Sequence, residues 1–198
     1  MSTSALEVRK PLVLADLIDS PIIRNLALVV GYATFIGIFA QISFRLSFTP
    51  VPITGQTFAV LLGAASLGPI RAVAGSALYA IAGVGGLPWF AGATGGWHIA
   101  TGPTFGYILS YVFVAVVVGL LAQHGLDRSF AGAALVMVLG SMIIYAVGVS
   151  WLGLSIHVSA SKAISLGMTP FIIGDLFKLL LAAFMLPTAW WGVNRFVK

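Results

Sequence analysis

Polar residues along this chain fall into clusters, and between them lie apolar runs close to the roughly 20 residues that one helix needs to cross a bilayer core about 30 Å thick. The runs predict spans at 25–44, 54–67, 71–84, 105–123, 131–152 and 170–191. The second and third are short, and the Gly68-Pro69 break between them leaves two readings, two spans or one kinked helix. Basic residues favour two spans. With six spans both termini share a side with Arg9, Lys10, Arg24, Arg71, Arg128, Arg195 and Lys198, and only Arg45 and Lys162 lie opposite. Short cytoplasmic loops collect Lys and Arg, so that side is cytoplasmic. With five spans Arg71 would sit inside the bilayer, at about 2.5 to 3.5 kcal/mol on insertion scales.

Composition agrees with this pattern. The chain is 60% hydrophobic and 8% charged, against roughly 25% charged in an average soluble domain. The expectation is an all-α integral membrane protein with six transmembrane helices and both termini cytoplasmic. Residues 25–198 form one membrane domain. Residues 1–24 are a partly amphipathic cytoplasmic lead-in, because Asp16 and Asp19 interrupt any signal-like apolar run and no small-residue cleavage site follows. The net charge of +5 is scattered over loops and ends, without the basic, aromatic-laced patch that nucleic acid requires. Absence of cysteine excludes disulfides, thiolate metal sites and a thiol nucleophile.

Three segments become external: 45–53, 85–104 and 153–169. The middle one, GGLPWFAGATGGWHIATGP, joins glycine freedom to the aromatic faces of Trp89, Phe90 and Trp97. It reads either as an interfacial aromatic belt on a flexible loop or as a lid over a ligand. Trp89 and Phe90, beside Pro88 and small residues, suit a lid.

Asp175 is the one acidic residue within a predicted span, and Lys178 follows at i+3 on the same helix face. The pair either cancels its own charge and anchors packing or lines a site, and ionisable groups within membranes are functional candidates by default. At about 1.5 Å per residue both fall in the outer half of the span, on the side of the glycine-rich segment. Asp175 suits ligand N–H groups and Lys178 a ligand oxygen. Three even-numbered spans also begin at the outer face, near TPVPITGQT, TGPTFGY and TPFIIGD. Proline tolerates a first helical turn and threonine caps it, so three positive helix ends would face outward, where they favour an anion. Thr54, Gln56, Thr104 and Tyr107 would add hydrogen-bonding groups there.

No Walker A loop, H-E-x-x-H or G-x-S-x-G occurs in the sequence, and paired carboxylates for acid-base chemistry are absent from the spans. His98, His124 and His157 stand singly, so no metal is assigned. A lipid-modifying enzyme therefore lacks its machinery. A stand-alone proton-coupled carrier of a small carboxylate or vitamin would use Asp175 as its shuttle, a task to which a standing counter-charge at Lys178 is poorly suited.

Four ordered blocks carry a family resemblance: VPITGQTFAVLLGAASLG from Val51, GLPWFAGATGG from Gly86, GPTFGY from Gly102 and IIGDLFK from Ile172. Together they resemble the BioY family over nearly the whole chain from Asn25. The resemblance implies a multi-pass protein of a prokaryotic cell membrane with six membrane helices. It would be the biotin-binding S component of an energy-coupling factor transporter, without a cofactor of its own. A transmembrane coupling protein and ATPase subunits would be its partners, ATP being used only by those subunits. By the same resemblance Asp175 and Lys178 would contact the ureido end of biotin or help fix its orientation, while Trp89 and Phe90 would cover its sulfur-containing ring. Ala27 and Gly31 on the first helix would meet the coupling protein, although glycine replaces the second alanine of the familiar pattern.

Overall fold

The computed structural model describes residues 22–196, so most of the lead-in expected at 1–24 lies outside the described residues. Helix α1 spans Ile22–Gln41 and thus begins before Asn25, the predicted start. A two-residue antiparallel ladder follows, β1 (Ser43–Phe44) with β2 (Ile53–Thr54), pairing Ser43 with Thr54 and Phe44 with Ile53. Every other regular element among the described residues is helical: α2 Gln56–Leu67, α3 Pro69–Val84, α4 Trp97–Ala100, α5 Phe105–Gln123, a 3-10 turn Leu126–Arg128, α6 Phe130–Ser155, α7 Ala160–Gly167 and α8 Ile172–Phe196.

Helices α1, α5, α6 and α8 are long and apolar enough to cross a membrane, while α2 and α3 are shorter apolar helices. The long helices bury one face and expose large apolar side chains on the other, among them Leu26 and Ile38 on α1, Phe113 on α5, Met142 on α6 and Phe177 and Phe184 on α8. Helices apolar on both faces belong in lipid or in a deep core, and here the outer faces are uncovered.

The kinked-helix alternative for α2 and α3 fails. Gly68 separates them at φ 76°, a backbone region glycine enters without strain, and Pro69 opens α3 where its missing N–H leaves no intrahelical bond unmade. The chain reverses there. Gln56, first in α2, donates to the Tyr79 hydroxyl, far along α3, at 2.7 Å. Tyr32 of α1 wedges between Gly63 of α2 and Gly75 of α3, where a Cβ on either glycine would overlap its ring. Its hydroxyl donates to the Val60 carbonyl at 2.9 Å, completing the joint. The same device recurs: Gly106 receives Trp151, Gly148 receives Tyr107, and Gly119 of α5 lies against the Pro69 backbone. Close approach through small residues is how helices associate where lipid removes any hydrophobic drive.

These joints give the bundle two distinct ends. At one end the Arg71 guanidinium donates to Asn25 at 3.0 Å, and Arg128 stacks over Trp190 with its guanidinium 4.5 Å from the ring centre. Asp127, buried in the 3-10 turn, accepts from the Trp190 indole at 2.6 Å. Arg24 and Arg195 belong to the same end by their places in α1 and α8. At the opposite end α2, α5 and α8 begin, and the three loop segments meet.

Those segments hold more structure than their sequence pattern predicts. In 85–104, Phe90 and Thr94 form an isolated bridge around a turn in which Gly92 and Ala93 both take positive φ, and α4 follows. In 153–169, α6 runs on to Ser155, and α7 is capped by the Ser159 side chain, which accepts from the Lys162 amide. Helix α7 lies along α6 and is amphipathic.

A polar cluster opening on an end cavity

A cavity of about 520 Å³ lies at the end where α2, α5 and α8 start, within the 300 to 1,000 Å³ range of small-ligand pockets. Seven of the residues expected at a site line it: Thr54, Gln56, Phe90, Thr104, Tyr107, Asp175 and Lys178. A shallower groove of about 660 Å³ between α6 and α7 is almost wholly apolar and shares only Tyr145 with the cavity.

The charged pair forms as its spacing predicts, with Lys178 Nζ 2.8 Å from Asp175 Oδ1 and the two side chains 19% and 14% exposed. Asp175 lies in the first turn of α8, where the helix dipole favours a carboxylate. The helix starts at Ile172 rather than Pro170, so the pair is shallower by two residues than expected.

Two neighbours that the sequence reading missed complete the cluster. Thr57, the second residue of α2, donates to Asp175 Oδ1 at 3.3 Å and accepts from Lys178 at 3.2 Å. Tyr145 of α6 donates to Asp175 Oδ2. Lys178 also donates to the Thr54 carbonyl at 2.6 Å. An ammonium has three N–H groups, and all three of Lys178's are now engaged by the protein. Lys178 therefore fixes Asp175 and the start of α2, and holds no donor in reserve for a ligand.

Other residues divide by where their polar atoms point. Gln56 donates one N–H of its side-chain amide to Tyr79 at 2.7 Å, and among the described residues no bond engages its oxygen. Tyr107 donates to the Gly167 carbonyl at 2.7 Å, tying α5 to the end of α7, so it offers the cavity its ring. Phe90 is 2% exposed and packs edge-on to Tyr79 with centroids 5.3 Å apart, its ring filling the space at Gly83. Thr104 precedes α5 but makes no side-chain cap, and Gly55, not a threonine, occupies that position for α2. The Thr54 hydroxyl does accept from the Gln56 amide at 3.3 Å.

Trp89 departs from expectation. It does not line the cavity. Its ring lies against Gly37 of α1 and 5.2 Å from Tyr79, and its indole donates to the Tyr79 carbonyl at 3.0 Å. Gln41 clamps this loop from α1, donating to the carbonyls of Trp89 and Phe90 at 3.1 and 3.3 Å and accepting from the Ala93 amide at 3.0 Å. Trp89 is thus a strut beneath the loop, and Phe90 and Thr94 present the loop to the cavity. Trp97 is 72% exposed and also outside the lining.

Among the described residues no three His, Asp or Glu side chains gather as a metal site would need. Arg45 is an exposed cation that lines the cavity and has no ion pair or hydrogen bond among the described residues. Ala27 and Gly31 are exposed on α1, and a side chain at Gly31 would meet no neighbour.

Residues 7–195 match the family model described as "BioY family". The chain is 43% identical over 134 residues to "Biotin transporter BioY" of Thermotoga maritima, covering 68% of this chain and 78% of that protein. It is 36% identical over 155 residues to "Probable biotin transporter BioY" of Pyrococcus horikoshii, covering 78% and 89%. Among solved structures, the S-component for biotin from an ECF-type ABC transporter superposes with a TM-score of 0.75 at 24% identity, over 84% of this chain and 90% of that one.

Proposed function

The chain belongs to the BioY family, and from that premise we propose that it is the membrane subunit that captures biotin for uptake, energised by a partner ATPase module. It is a transport protein and not an enzyme. The observation that carries the reading is the Asp175 cluster: a carboxylate held by Lys178, Thr57 and Tyr145, opening on a cavity otherwise walled by Phe90, Ile108, Ile144 and Phe171. Biotin has the matching parts, a urea with two N–H groups, an apolar sulfur-containing ring and a carboxylate tail. The urea N–H groups face Asp175 and the Gln56 oxygen, the ring lies among the apolar walls, and the carboxylate meets Arg45 at the mouth.

Six helices, α1, α2, α3, α5, α6 and α8, cross the membrane in this reading, with the cavity outward and both termini in the cytoplasm of a prokaryotic cell. Support comes from Arg24, Arg71, Arg128 and Arg195 at the end away from the cavity. The exposed Ala27 and Gly31 leave a smooth strip on α1 for a transmembrane coupling protein, and ATP is hydrolysed only by its partners.

Equilibrium binding of radiolabelled biotin to detergent-purified protein tests this. Tight binding is expected, with Asp175→Asn weakening it at least tenfold, about 1.4 kcal/mol. Absence of biotin binding by the unaltered protein would end the reading. Uptake in liposomes driven by a proton gradient, with no ATPase present, would favour a stand-alone carrier instead.

A further inference from the structure

Tyr111 is left out of every interaction described so far. It lies in α5, about 9 Å along the helix from Phe105 at 1.5 Å per residue, and its side chain is all but buried, 2% exposed. It nevertheless lines the cavity. A buried tyrosine hydroxyl is ordinarily hydrogen-bonded, because an unmatched one costs about 1 to 3 kcal/mol. Tyr32, Tyr79, Tyr107 and Tyr145 all obey, donating to Val60, Trp89, Gly167 and Asp175. Tyr111 has no such bond among the described residues. Nor is its oxygen sealed away, since among the described residues the enclosed side-chain polar atoms without a partner are Ser76 Oγ and Asp127 Oδ1. The space it opens on is the cavity.

The chemistry of the surrounding wall says what that hydroxyl is for. Deep in the cavity few donors are left: Lys178 has every N–H engaged, Thr57 and Tyr145 both donate to Asp175, and Gln56, whose oxygen is turned to a ligand N–H in the reading above, keeps one N–H of its own. A ligand carrying only N–H groups would need nothing more. A urea also carries a carbonyl oxygen between its two N–H groups, and that oxygen needs a donor at the same depth. The hydroxyls of Thr54 and Thr104 stand at the outer ends of their elements. We infer that the Tyr111 hydroxyl donates to the ligand's urea carbonyl and so determines specificity, making cyclic ureas the ligand class; this rests on the biotin reading above.

The test compares wild type with Tyr111→Phe, which removes one oxygen and keeps the ring. Three ligands are measured by equilibrium binding: biotin, desthiobiotin, which keeps the urea and lacks the ring sulfur, and 2-thiobiotin, whose thiocarbonyl is a weak acceptor. Tyr111→Phe is expected to lower affinity for biotin and desthiobiotin about tenfold and for 2-thiobiotin about threefold or less. Wild-type affinity for biotin in Tyr111→Phe, or an equal loss for all three ligands, would overturn the inference while leaving biotin capture intact. Failure of wild type to bind biotin would instead remove the premise, and the inference with it.

Discussion

Two carboxylates sit at opposite ends of this bundle and are treated in opposite ways. Asp175 faces a cavity and accepts from Lys178, Thr57 and Tyr145, contributed by α8, α2 and α6. Asp127 does not line that cavity, accepts from the Trp190 indole on one oxygen, and leaves its other oxygen enclosed and unmatched among the described residues. Burial pushes the Asp127 carboxyl above the ordinary 3.8, against the smaller opposing pulls of the Trp190 hydrogen bond and the neighbouring Arg128. A carboxylate serving a ligand must stay oriented in the empty site, and that takes partners from several helices. One that ties a turn to a helix needs a single good bond. The lesson is that burial of an acid says little about function until its partners are counted.

The contrast is broken most directly by removing a partner at each end. Lys178→Ala strips the counter-charge from Asp175 and is expected to weaken biotin binding at least tenfold, about 1.4 kcal/mol. Asp127→Ala should leave affinity within about twofold, while orphaning the Trp190 N–H at a stability cost of about 1 to 3 kcal/mol, read as a lower melting temperature. A binding defect in Asp127→Ala would erase the distinction. Thr57→Val sharpens it more gently. That change removes the hydroxyl bridging Lys178 and Asp175, and biotin affinity should fall about fivefold, or roughly 1 kcal/mol.

The smallest effect is in pH. A carboxyl whose folded value lies above its unfolded one binds its proton more tightly in the native state, so its contribution to stability grows as pH falls through the folded value and levels off below about 3.8. The wild-type melting temperature, taken relative to that of Asp127→Asn, should therefore rise between neutral pH and about 4. A flat difference would mean that burial does not raise the Asp127 carboxyl above its ordinary value.

Much of this was legible in the residues. A lone acid within an apolar run, with a base at i+3, identifies the charged pair because no neighbouring residue offers a cheaper reason for it. Gly68-Pro69 marks the reversal, and Arg71 beside it separates two helices from one. The partners of Asp175 were less visible. Thr57, Tyr111 and Tyr145 lie in apolar spans where a hydroxyl is compatible with packing, lipid exposure or a site, and only the contact between helices far apart in sequence decides. Trp89 misled for a related reason. Its loop is rich in glycine, which suggests freedom, yet Gly37 and Gln41, on α1, hold the ring and its backbone fast. The cap positions also escaped, since threonine beside proline satisfies the pattern whether or not its side chain turns back on the helix.

The aromatic rings seated against glycine bear on how this chain tolerates change. At Gly63, Gly75, Gly106 and Gly148 one added methyl would strike the side chain of Tyr32, Trp151 or Tyr107, so any replacement forces those rings to move, whatever the cargo. Drift at these sites is opposed by assembly, as is loss of the buried Tyr111 ring, while loss of the Tyr111 hydroxyl alone would be opposed only by a ligand that uses it. Two kinds of constraint are therefore interleaved along the same helices, and a chain that took a different cargo would be free to relax one of them and not the other.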